Sequence, residues 1–98
     1  MERQGDWVVL QLSGELAGRL MTDRLRETLE DHYVDDGVRV IKVDISPLSF
    51  MDSYGVATLV ALLKESHERG KRFVVEGAAG QVREKLRVTG VLRILEVG

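Results

Sequence analysis

The chain contains no cysteine and a single proline, Pro47. Without thiols there can be no disulfide scaffold, cysteine nucleophile or zinc knuckle, so stability must come from the core. Histidine is scarce too, with only His32 and His67. No His/Asp/Glu cluster has metal-ligand spacing, and no cofactor is expected. The longest apolar run, residues 56–63 interrupted by Thr58, is far short of the ~20 residues of a membrane span. The first residues, Met1 to Asp6, are charged, with no apolar segment of the signal-peptide kind behind them. A cytoplasmic protein without membrane insertion is therefore expected. An excess of one charge is also missing: 14 Lys and Arg against 16 Asp and Glu leave −2, too balanced for generic nucleic-acid binding.

What remains is the profile of one ordinary domain: 98 residues, 44% hydrophobic and 31% charged. Folding at that length buries about 60–70% of the surface an unfolded chain exposes. Ten glycines punctuate the sequence at nearly even intervals, with no linker and no internal repeat. Residues 7–12, WVVLQL, read as a strand ended by Ser13 and Gly14, and a turn at Gly5 could fold a very short N-terminal strand back onto it.

From Leu16 the period changes. Met21, Leu25, Leu29 and Tyr33 recur every four residues among charged neighbours, which predicts an amphipathic helix stopped by Asp35, Asp36 and Gly37. Residues 38–45 form a nearly continuous apolar strand. Pro47 bars its continuation. Val56, Leu59, Val60 and Leu63 mark a second helix over 53–69, closed by Gly70. Phe73, Val74 and Val75 make another strand, and Val82 and Leu86 a short third helix closed by Gly90. The tail from Val91 is left unassigned. This order implies an α/β fold: a small mixed sheet of four to five strands with the helices mainly on one face. Strand 38–45, helix 53–69 and strand 72–76 should form a parallel βαβ unit.

Enzymatic chemistry finds no foothold. Ser53 and His67 share a helix, but fourteen residues at 1.5 Å rise put them roughly 21 Å apart, beyond any hydrogen bond. The Gly77–Gly80 stretch lacks the spacing of a phosphate loop and is explained by a turn and helix entry. Arg83, Lys85 and Arg87 point to different helix faces. No enzyme is expected.

The segment from Leu48 to Gly55 stands out, because it joins a strand's C-terminal end to a helix N-terminus, where α/β sheets place ligands. Asp52 and Ser53 are both candidates for the N-cap. Capping alone could account for them. A phosphoryl group on Ser53 would also be tolerated by the first-turn N–H groups, and it would set about −1.5 to −2 charges beside Asp52.

Phe50, Met51, Asp52, Ser53, Tyr54 and Gly55 are similar to the apolar-apolar-Asp-Ser-x-Gly segment of STAS domains, the fold of bacterial anti-sigma factor antagonists. Gly14, Glu15 and Leu16 resemble the Gly-Glu-Leu that ends an early strand of that family, and Gly70, the Phe73–Val75 strand and Val88 to Val91 fall in family order. The resemblance covers nearly the whole chain. It implies a regulatory protein that binds an anti-sigma factor serine kinase and so releases a sigma factor. Ser53 would be the phosphoacceptor, and a phosphatase would reset it. Asp52 would orient the loop, and Gly55 would permit close backbone approach. Ser49, Met51, Asp52, Ser53, Tyr54 and Gly55 would form the partner-binding surface, with core packing an equally good account of Phe50 and Met51. Ala17 stands where the family commonly has Asp, and Tyr54 where it has a small residue. The alternative is a non-switching STAS subunit of a stressosome-like or ABC-transport complex.

Overall fold

A computed structural model describes residues 2–18 and 20–97, the side chains of 20–22, 96 and 97 excepted. The chain runs β1 (Glu2–Gln4), β2 (Trp7–Gln11), β3 (Gly14–Leu16), α1 (Leu20–Tyr33), β4 (Val40–Asp44), β5 (Leu48–Met51), α2 (Ser53–Glu68), β6 (Arg72–Glu76), α3 (Gly80–Val88), a 3-10 turn (Val91–Arg93) and β7 (Glu96–Val97). Five strands make one mixed sheet in the order β1-β2-β4-β6-β7. Only the β1–β2 hairpin is antiparallel; β2–β4, β4–β6 and β6–β7 are parallel.

Alternation along the strands places the core. Val8, Leu10, Ile41, Val43, Phe73 and Val75 are buried and join one cluster with Leu25, Leu29 and Tyr33 of α1, Leu59 and Leu62 of α2, and Val82 and Leu86 of α3. All three helices therefore cover the same face, as the single apolar stripe of each requires. Met21, the first residue of the expected α1 stripe, lies outside the described side chains. Tyr33 links the first two helices at depth: its hydroxyl donates to the Leu62 carbonyl at 3.3 Å and accepts from Ser66 Oγ at 3.2 Å. Burial pushes the Tyr33 phenol above its ordinary value, only partly offset by the Ser66 bond, so it remains a donor.

Among the described residues the opposite face carries no helix and is covered by its own long side chains. Lys42 Nζ lies 4.1 Å from the centroid of the Trp7 ring and 3.5 Å from Glu76. Val74, opposite Lys42 in register, is only 6% exposed although it stands outside the main core cluster. Charged heads stay wet while their stems cover apolar surface.

Two short strands escape periodicity. Gly14–Leu16 is a strand of its own, and α1 begins after it at Leu20. The segment after Pro47 is likewise a strand rather than a loop: β5 pairs in parallel with β3, with Glu15 opposite Phe50 and Leu16 opposite Met51. Three and four residues are too few for periodicity to show, and the partners are more than thirty residues apart in sequence. The β4 ladder ends at Asp44, and Pro47 lies in the turn before the chain pairs again.

Candidate functional site

The β3–β5 ribbon lies beyond the C-terminal end of β4 and carries the chain to the head of α2. Leu16, Leu48 and Met51 point into the core, whereas Glu15, Ser49 and Phe50 point out. Ser49 Oγ donates to the Gly14 carbonyl at 3.0 Å, and Asp52 N donates to the Leu16 carbonyl at 3.4 Å. The first bond ties β5 to the start of β3, and the second ties the end of β3 to the head of α2.

Of the two capping candidates, Asp52 takes the role. Its backbone is extended (φ −99°, ψ −174°), and Oδ1 accepts from Gly55 N at 2.8 Å. Ser53 is consequently the first helical residue. It is exposed, and its hydroxyl makes no hydrogen bond among the described residues. The second Asp52 oxygen, Oδ2, accepts from Gly18 N at 3.3 Å, so one carboxylate touches both α2 and the segment after β3.

Gly55 is required by close approach. A Cβ there would fall inside contact distance of the Leu16 carbonyl oxygen and 2.7 Å from Met51 Cγ. Any side chain would push α2 off the ribbon. Tyr54 is 51% exposed and Phe50 44%, so two large apolar groups flank Ser53 at the surface. Met51, by contrast, is 4% exposed and packs in the core; of the expected partner-facing residues it is withdrawn from the surface. Gly55 is buried as well and contributes through backbone packing. Ser49, Ser53 and Tyr54 are exposed and Asp52 is half-buried, along the stretch from β5 into the first turn of α2. Sequence reasoning missed the Gly18 contact, for which the sequence offers no local signal. Gly14, Glu15 and Leu16, legible as a motif, pair with Leu48, Phe50 and Met51, which no local pattern reveals.

His67 sits near the far end of α2, where it lines a cavity of about 560 Å³ with Asp6, Arg39 and Lys71 at the N-terminal ends of the parallel strands. It takes no part in the Ser53 site.

The STAS domain family model matches residues 1–98. The chain belongs to the STAS domain family. An anti-sigma-B factor antagonist of Listeria monocytogenes is 27% identical over 96 residues, which cover 98% of this chain and 82% of the relative. Among solved STAS-like structures, the phosphorylated form of the Bacillus cell fate determinant SpoIIAA superposes with a TM-score of 0.72 at 21% identity, covering 100% of this chain and 87% of that one. The STAS domain of a SulP transporter from Vibrio cholerae superposes with a TM-score of 0.77 at 19% identity, covering 98% and 75%. At such identities the two structures establish the STAS fold alone. Among the described residues, no helix is long and apolar enough to cross a membrane.

Proposed function

We propose that this STAS domain is a cytoplasmic, non-enzymatic anti-sigma factor antagonist, switched off by phosphorylation of Ser53. The observation that carries this reading is the division of labour at the head of α2. Asp52 does the capping, and the Ser53 hydroxyl is left exposed and uncommitted. The Listeria relative named as an anti-sigma-B factor antagonist supports the partner class, and SpoIIAA, whose structure is known in unphosphorylated and phosphorylated forms, supports the modification.

Unmodified, the exposed Phe50 and Tyr54 beside Ser53 give an anti-sigma factor serine kinase an apolar contact with a small polar centre. In the kinase, Ser53 Oγ attacks the γ-phosphorus of ATP, the bond to the β–γ bridging oxygen breaks, ADP leaves, and the hydroxyl proton passes to base or solvent. The product dianion meets unpaired first-turn N–H groups and a favourable helix dipole, so the domain stays folded. Desolvating that charge and Asp52 together at a fitted interface is costly, and the partner is released. A phosphatase restores the hydroxyl.

Intact mass after incubation with an anti-sigma factor serine kinase and ATP tests this. Wild type should gain one phosphoryl group and Ser53→Ala none; no gain in wild type, or equal gain in both, refutes it. The likeness to a transporter STAS domain keeps a second reading open, that of a non-switching subunit of a stressosome-like or ABC-transport complex. That reading is favoured if Ser53→Asp keeps full partner binding.

A further inference from the structure

Asp52 does more than capping requires. Ser, Thr and Asn cap a helix about as well as Asp, and each needs only one acceptor. Here Oδ1 serves Gly55 N, while Oδ2 reaches across to Gly18 N. Past Leu16 the chain has left the β3–β5 ladder, whose last pair is Leu16 with Met51. Among the described residues, the Gly18 bond is what holds the 17–18 segment to the head of α2. It is also the weaker of the two, at 3.3 Å and exposed, against 2.8 Å and part-buried for the cap.

Resting on the phosphorylation reading above, we propose that Asp52 is a positioning residue whose second oxygen clamps the 17–18 segment against α2, and that a phosphoryl group on Ser53 opens this clamp. The phosphoryl oxygens are strong acceptors bearing about −1.5 to −2 charges, attached one residue from the Asp52 carboxylate. Both anions then draw on the same few donors: the N–H groups of Ser53, Tyr54, Gly55 and Gly18. The shorter, sheltered cap survives this competition, and the longer exposed bond is lost. Phosphorylation would thus change the site in two ways, adding charge at residue 53 and freeing the neighbouring 17–18 segment.

The Gly18 amide reports the clamp directly by NMR of the full 15N-labelled chain, through its position and its solvent exchange rate. Asp52→Asn and Asp52→Ser each keep one acceptor for the cap and remove the one that reaches Gly18. In both, Gly18 exchange should accelerate on the order of tenfold, with Gly55 unchanged. Phosphoserine placed at residue 53 by stop-codon suppression should produce the same acceleration in the wild-type background and add nothing in Asp52→Asn. If Gly18 is indifferent to both Asp52 substitutions, there is no clamp. If it responds to them but not to phosphoserine, phosphorylation does not open it. Neither outcome depends on a kinase, so failure here is distinct from failure of the mass measurement on Ser53.

Discussion

Asp52 and Gly55 bracket Ser53 and leave it little freedom of placement. Asp52 fixes where the helix begins, and Gly55 fixes how closely that helix lies on the ribbon. In Gly55→Ala, a methyl group would be driven against the Leu16 carbonyl, a backbone atom that cannot swing aside. Overpacking of this kind costs about 1–3 kcal/mol. Urea unfolding should show that loss as a lower midpoint with an unchanged slope, and unaltered stability would mean the ribbon yields freely. Asp52 was legible as a cap candidate from its place before the helix, whereas the close approach at Gly55 came from the family resemblance alone. Ser53 was less legible than Asp52. Asp and Ser are both good caps, and only the backbone angles decide which residue stands outside the helix.

At the scale of elements, the long periodic pieces and the local β1–β2 hairpin could be read, and the short strands paired across distant sequence could not. The stripes Leu25–Leu29–Tyr33 and Val56–Leu59–Leu63 repeat often enough to declare a helix. β3 and β5 have no stripe to read, and only pairing across distant sequence makes them strands. Phe50 and Met51 show the cost of missing them: taken as a loop, both could face either way, whereas the pairing with β3, irregular between Gly14 and Glu15, leaves Phe50 exposed and Met51 buried. The helix-free sheet face makes a separate prediction. Lys42→Ala removes both the cation–π contact with Trp7 and the stem beside Val74; Lys42→Met keeps the stem alone. The contact accounts for about 0.5–1 kcal/mol. Unfolding followed by Trp7 fluorescence should therefore rank wild type above Lys42→Met, and Lys42→Met above Lys42→Ala. Equal stability of the two variants would show that the stem seals nothing.

For the molecule as a whole, carboxylates set the acid limit. Asp44 is held below the usual carboxylate range, first by the Ser46 backbone N–H, then by the Ser46 hydroxyl and the Gln11 amide. Asp35 is held down by the Gly37 N–H and then by Arg3, which it meets in an ion pair joining β1 to the turn after α1. A depressed folded-state value means stability that is fully present above the unfolded-state value of about 3.9. It is lost as the pH falls through that value toward the lower folded one. The melting temperature should therefore be level through neutral pH and fall below about pH 4. Asp44→Asn should start lower at neutral pH and fall less steeply in the acid window. An acid limb as steep as that of wild type would remove Asp44 from the account.

The ribbon beneath Ser53 has one more consequence, for the order in which the chain matures. Gly14–Leu16 can meet Leu48–Met51 only after α1 and β4, which lie between them in sequence, have been looped back into place. Closing a loop of that length costs chain entropy that the local hairpin and helices do not pay. Until that pairing forms, the chain carries Ser53 but not the ledge that presents it.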